Sequence, residues 1–204
     1  MKRMSCVLVL ALLVSGLARA QQPRSLREWA RQKGYVWTTY HAETWFGPTN
    51  LNELVARTDV IILGRVRGER TRLSADEQRV ITDYSVEVLD VVKGDYSEVS
   101  PGARITVSKV GGNLLIEGNP IRMDTPGSPP IPWIQPHLLF LSRSMTDHGL
   151  YVGPSGLSVF AVSDESLVCL PSQADDPARK ELCGKPINEA LQFLEQRAAE
   201  HPTG

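Results

Sequence analysis

Apolar and polar positions change their period several times along the chain. Residues Cys6 to Leu17 form a nearly unbroken apolar run, preceded by Met1-Lys2-Arg3-Met4-Ser5 and followed by Ala18-Arg19-Ala20. A basic start, a short apolar middle and a small-x-small end predict a secretory signal peptide cleaved between Ala20 and Gln21. The run is about a dozen residues, whereas a membrane-spanning helix needs roughly 20. Cys6 precedes the apolar run instead of closing it, which argues against a lipoprotein. The expected mature protein starts at Gln21, is secreted or periplasmic, and does not insert in a membrane.

Beyond the leader, helical spacing comes first. Residues 25–34 predict a short helix, with Ser25 and Glu28 at capping-box spacing and Gly34 placed to end it in the left-handed conformation. A second helix is expected over Leu51–Arg57, where Leu51, Leu54 and Val55 share a face. From Asp59 the pattern turns to strands. Val60-Ile61-Ile62-Leu63 is apolar throughout and then alternates through Gly64-Arg65-Val66-Arg67. In the long strand Arg79–Val92, Val80, Tyr84, Val86 and Val88 alternate with Asp83, Ser85 and Glu87, but Leu89 and Val91 reverse the parity. A bulge or sharp bend near Leu89 accounts for the reversal, and Gly64 is suited to the same purpose in the preceding strand.

Further strands are predicted at Arg104–Val110, Leu114–Glu117, His137–Ser142, Leu150–Val152 and Leu157–Val162, with Gly111-Gly112-Asn113 as a hairpin turn. A final helix is expected from Pro186 to Ala199, with Ile187, Leu191, Leu194 and Ala198 as its apolar stripe. No internal repeat is visible. The predicted fold is mainly β: a small closed or partly open antiparallel barrel, with short N-terminal helices and a C-terminal helix packed on it. The boundaries that follow are 1–20 signal peptide, 21–57 helical and aromatic extension, 58–165 barrel core, and 166–204 disulfide loop and C-terminal helix.

Composition sharpens this picture once the leader is removed. Cleavage takes three of the 22 basic side chains and none of the 23 acidic ones, leaving 184 residues with a net charge of about −4. Such mild acidity gives no electrostatic footprint for nucleic acid or anionic lipid. Cleavage also discards Cys6 and leaves Cys169 and Cys183 as an even pair in an oxidising compartment. A bridge between them closes a loop of about 15 residues, worth roughly 3 kcal/mol in the chain-entropy model. Two free thiols or half of a metal site are the alternatives, although no histidine pair nearby completes a zinc cluster.

Catalytic signatures are weak. Gly153-Pro154-Ser155-Gly156 superficially resembles a nucleophile elbow, but the spacing to the second glycine is short and the strand–turn–helix context is missing. His41, His137, His148 and His201 are not paired at ligand spacing and read as surface or loop histidines. Asp83 and Glu87 share a strand face, as they do on a solvated surface. Gly111-Gly112-Asn113 lacks the residues of a phosphate-binding loop. No catalytic constellation, metal ligand set or cofactor is implied.

The aromatic residues remain. Trp29, Trp37 and Trp45, with Tyr35, Tyr40 and Phe46, lie in the N-terminal extension, where they are expected chiefly to wrap the barrel and plug its open end. The opposing reading is a recognition surface for a glycan or extended peptide. Trp133 falls in Asp124–Pro136, which holds five prolines in thirteen residues. Proline at this density prevents ladder pairing and favours extended chain.

The strand motifs carry a family resemblance. Thr58-Asp59-Val60-Ile61-Ile62-Leu63-Gly64-Arg65-Val66, Tyr84-Ser85-Val86-Glu87-Val88 and Val91-Val92-Lys93-Gly94 resemble the core of netrin-like and tissue-inhibitor-of-metalloproteinase-type domains. Gly102–Val107 and His137–Leu141 fall where that family's third and fourth strands lie. The resemblance covers roughly residues 55–165 and extends to exported bacterial proteins of unassigned function. It implies a five-stranded barrel of the oligonucleotide/oligosaccharide-binding type. In the metalloproteinase inhibitors an N-terminal cysteine chelates the protease zinc; Gln21 stands at that position here, and the dense disulfide framework is absent. Inhibition by that mechanism is therefore not supported.

The expected function is an exported, non-catalytic module binding an unknown protein or glycan. Its candidate contact loop contains Pro126, Pro130, Trp133 and Pro136. A protease inhibitor of non-chelating mechanism, an enzyme gathering His137 or His148 with distant carboxylates, and a structural envelope protein are the alternatives.

Overall fold

The structure is a computed structural model and describes residues 25–41, 50–94, 97–126, 129–144, 149–152, 158–168 and 177–201. The predicted leader and Gln21, Trp45, Phe46, His148, Cys169 and the Gly153–Gly156 segment lie outside the described residues.

Local chemistry starts both N-terminal helices. Helix α1 (Leu26–Lys33) is capped by the Ser25 hydroxyl, which accepts from the Glu28 amide at 3.2 Å, and ends at Gly34 with φ 77°. Helix α2 (Leu51–Arg57) is capped by Asn50, whose side-chain oxygen accepts from the Glu53 amide at 2.9 Å. Strand β1 (Val36–Thr39) lies between them. The long strands β2 (Val60–Leu73) and β3 (Val80–Lys93) follow, then β4 (Arg104–Val110), β5 (Gly112–Ile116), β6 (Asn119–Asp124) and β7 (Pro136–Arg143). Strands β8 (Leu150–Val152), β9 (Val159–Ser163) and β10 (Ser166–Val168), helix α3 (Pro177–Lys180) and helix α4 (Ile187–Glu200) complete the described chain.

The fold is mainly β, and five strands close a barrel in the order β7-β2-β3-β4-β8, with β8 returning to β7. Within the ring β4 and β8 run parallel and the other pairs antiparallel. Closure removes free edges from the barrel, and the arrangement is consistent with an oligonucleotide/oligosaccharide-binding type of barrel. Strand β7 divides its second edge, giving Leu141–Arg143 to β8 and His137–Leu139 to β9.

Apolar runs without alternation mark strands buried on both faces. Val60, Ile62, Leu139 and Leu141 fill the barrel, while Ile61, Leu138 and Phe140 face outward onto α2 and α4. That outer layer buries Leu54, Val55, Leu191, Leu194 and Ala198, which confirms the C-terminal stripe. The parity reversal in β3 is a bulge. Leu63 pairs with Asp90 and Gly64 with Val88, so Leu89 has no opposite number. Before it Val86 and Val88 point into the barrel; after it Val91 does.

Lys93 joins the end of β3 to the end of α2. Its ammonium is buried and donates at 2.8 Å to the Val55 carbonyl, which also accepts the longer capping bond from the Thr58 amide at 3.4 Å. Burial pushes its pKa down and the Asp59 charge works against that shift. Lys93→Met is expected to lower the unfolding free energy by about 1 kcal/mol in urea titration, the net worth of one hydrogen bond, since the Val55 carbonyl keeps only the longer bond from the Thr58 amide.

Strands β1, β6 and β5 form a separate three-stranded sheet with β6 in the centre. Its inner face adds Val36, Ile116, Ile121 and Met123 to a core with Leu26, Ala30 and Val80. The predicted hairpin at Gly111-Gly112-Asn113 is instead a corner, because β4 pairs with β3 and β8 whereas β5 pairs with β6. Gly111 and Gly112 have φ 109° and 135°, and a Cβ on Gly112 would sit 2.3 Å from the Thr82 hydroxyl oxygen. The hairpin lies one strand later, at Glu117-Gly118, where both residues have positive φ.

Candidate functional site

The three-stranded sheet aligns its outer side chains in rows. Pairing sets Trp37 beside Arg122 and Arg122 beside Asn113, with Pro120 beside Leu115 in the next row. Because side chains alternate across a strand, Val36, Ile121 and Met123 take the core and leave Trp37, Arg122 and Asp124 on the outer face. Trp37 is 69% exposed, Leu115 68% and Tyr35, immediately before β1, 64%. Large side chains of these types are ordinarily covered, and a grouped exposed set marks an interaction surface.

Trp37 is held in place. Its indole N–H donates to an Asp124 carboxylate oxygen at 2.7 Å, and the Arg122 Nε donates to the same carboxylate at 3.0 Å. The Arg122 guanidinium carbon lies 5.4 Å from the Trp37 ring centroid, within cation–π range. The Trp37 N–H and then Arg122 hold the Asp124 carboxyl below its ordinary pKa. Ring, cation and carboxylate thus form one oriented unit, which spares a ligand the entropy of ordering them.

Beside this face a cleft of about 230 Å³ opens at the Gly111–Gly112 corner. Lys109, Asn113, Arg122, Asp124 and Pro130 help to line it. Lys109 follows Ile105 and Val107 on the inward parity of β4 and is only 6% exposed. Burial pushes its ammonium down to about 8.

The proline-rich segment does two things. Ile131 enters the barrel core and its amide donates to the Tyr84 hydroxyl at 3.3 Å. Trp133 stays half-exposed, its indole N–H donating to Glu69 at 3.4 Å, and Ile134 is 94% exposed. Of the predicted contact loop, Pro130 lines the cleft and Trp133 lies on the outer surface. Pro126 is exposed in a turn, while Pro136 opens β7 opposite Arg65. Trp29 and Trp37 do not plug the barrel; both are exposed, Trp29 on α1 and Trp37 on β1, which pairs outside the barrel with β6.

His137 is likewise not a surface residue. It shares the inward parity of Leu139 and Leu141, pairs beside Gly64, and is 1% exposed. Among the described residues neither ring nitrogen has a well-aligned hydrogen-bond partner. Burial pushes the imidazole down to about 4, the Gln135 backbone working against it. Asp83 and Glu87 face outward and pair with Arg72 and Arg67. Among the described residues no group of three His, Cys, Asp or Glu side chains is placed to hold a metal, and no helix is long and apolar enough to cross a membrane.

Lys109 and Arg122 escaped the sequence reading. The signal for Lys109 was a lysine on the inward parity of a predicted strand. Arg122 gave none, because β6 itself was not expected. No protein-family model matches the chain, and no curated protein matches it.

Proposed function

We propose that the chain is an exported, non-catalytic binding module that takes a segment of a protein or glycan across the outer face of β1-β6-β5. The observation that carries this reading is the set of exposed side chains Tyr35, Trp37 and Leu115 on a sheet whose other face is fixed in a core. Export rests on the leader pattern before Gln21. A Cys169–Cys183 bridge suits that compartment, these being the two cysteines beyond the leader. The netrin-like resemblance supports the barrel as a scaffold, while Gln21 argues against zinc chelation by the N-terminus.

The test uses chain beginning at Gln21, applied to arrays of glycans and of extended peptides. Trp37→Ala is expected to weaken binding about tenfold or more, the usual loss for an aromatic anchor, with an unchanged unfolding midpoint. Full binding by Trp37→Ala would move the site elsewhere.

Protease inhibition of a non-chelating kind is the second reading. It is favoured by the exposed Trp133-Ile134 tip, held between the buried Ile131 and the Trp133–Glu69 hydrogen bond. Under that reading Trp133→Ala, and not Trp37→Ala, abolishes the effect.

A further inference from the structure

We infer that the Trp133-Ile134 tip and the arginines along the edge of β2 form a docking surface for an anionic phospholipid membrane, on which the folded barrel sits without crossing it. This surface is separate from the Trp37 face and does not depend on it. Its apolar part is small but prominent. Ile134 is 94% exposed and Trp133 51%, adjacent in the chain and carried between Pro132 and Pro136. Ile131 anchors one end of that segment in the barrel core, and Pro136 fixes the other in β7. The prolines between restrict the backbone, so the tip is held outward instead of folding back.

Strand pairing puts arginines beside the tip. Trp133 donates to Glu69 and Pro136 pairs opposite Arg65, so residues 133–136 run back along the edge of β2 between those two positions. Arg65 and Arg70 therefore flank the tip. Residues directly opposite one another in a sheet share a face, which gathers Arg65, Glu87 and Arg104 into one row and Arg70, Asp83 and Ser108 into another. The carboxylates there are engaged: Glu87 with Arg67, Asp83 with Arg72 and Glu69 with the Trp133 N–H. Asp90, opposite Leu63 in the next row, accepts from the Val91 amide. Arg65, Arg70 and Arg104 have no partner among the described residues, and the Arg65 Nε is buried without an acceptor. The whole chain balances 22 basic against 23 acidic side chains, so composition shows none of this; the arginines gather only when β2, β3 and β4 pair.

An anionic bilayer meets both features at once. Tryptophan and aliphatic side chains enter the zone between headgroups and acyl chains, while arginines stay at the level of the lipid phosphates, whose oxygens match the guanidinium fork. A soluble polyanion would use the arginines and leave Ile134 in water. An apolar protein groove would take Ile134 and leave the arginines unpaired.

The experiment is flotation of chain beginning at Gln21 with phosphatidylcholine vesicles that contain or lack about a third of phosphatidylglycerol, with tryptophan emission read on the same samples. The anionic vesicles are expected to bind about tenfold or more tighter than the neutral ones, to lose that advantage in high salt, and to shift the emission to the blue. Ile134→Asp, at an almost fully exposed position, is expected to weaken anionic binding about tenfold with an unchanged unfolding midpoint. Arg70→Glu with Arg104→Glu, both exposed, is expected to remove the preference for anionic lipid, and Trp133→Phe to remove most of the blue shift. Trp37→Ala is expected to bind vesicles as the natural chain does. Equal binding to both vesicles, or binding to neither, overturns the proposal. Anionic binding that Ile134→Asp leaves intact would mean an anion site without insertion, and overturns it too. Soluble polyglutamate bound more tightly than the anionic vesicles would make an acidic protein the partner instead. Loss of vesicle binding in Trp37→Ala alone would assign the lipid to the other face.

Discussion

Between pH 7 and about pH 4 the unfolding free energy of the protein is expected to fall by about 3 kcal/mol, and His137→Leu to remove most of that fall. His137 is enclosed among the barrel side chains with no well-aligned partner for either nitrogen among the described residues, and burial holds its pKa at about 4 against an ordinary 6.5. The folded state therefore keeps the imidazole neutral where the unfolded chain binds a proton. Stability is complete above the unfolded pKa and is lost as pH falls from about 6.5 towards 4, at about 1.4 kcal/mol per pH unit. Carboxylates held below their ordinary pKa by ion pairs, such as Glu77, Glu98 and Glu117, begin to add their own loss about one unit above the ordinary value of 4.5. The interval between pH 7 and about pH 5.5 thus isolates His137. Urea titrations across that interval measure the effect; a flat profile for the natural chain contradicts the enclosed, uncharged histidine. At pH 7 His137→Leu is expected to be at least as stable as the natural chain, because two buried polar atoms without partners are replaced by apolar volume.

Gly112→Ala is expected to cost about 3 kcal/mol, from a backbone conformation a side chain rarely adopts together with overpacking. Gly112 has φ 135°, and the added Cβ would meet the Thr82 hydroxyl oxygen at 2.3 Å. That hydroxyl already donates to the Gly111 carbonyl at 2.7 Å, so it cannot swing away without leaving a buried carbonyl unsatisfied. Gly118, with φ 83° and open space where its Cβ would point, is the comparison; Gly118→Ala is expected to cost about 1 kcal/mol. Chemical unfolding of both variants measures the difference. Equal costs would mean that the corner tolerates a side chain and does not fix the small sheet against the barrel.

Much of the scaffold was legible because its signals are local. Ser25, Asn50 and Gly34 act at helix ends within one turn of chain, and Leu191, Leu194 and Ala198 repeat at helical spacing. The Leu89 bulge showed as a parity reversal in a strand long enough to display a period. The site was less legible because it depends on pairings between distant segments. Strand β1 has four residues, too few to show alternation, and becomes a strand by pairing with β6 some eighty positions later. Strand β6 is masked in sequence by Pro120, which is tolerated because β1 begins its pairing only at Ile121. Without β6 there was no row to place Trp37 beside Arg122, and Gly111-Gly112 resembled a hairpin rather than a corner. His137 followed the same logic. Its burial comes from the barrel closing around β7, which a single-strand pattern does not register.

The most direct measurement of the central claim is amide hydrogen exchange of the chain beginning at Gln21, with and without whichever array member it binds. Protection is expected in β1, β5 and β6 and in the Lys109–Asn113 corner, with β9, β10 and α4 unchanged. Protection confined to β9, β10 and α4, or to the Trp133-Ile134 tip alone, would contradict a binding face centred on Trp37.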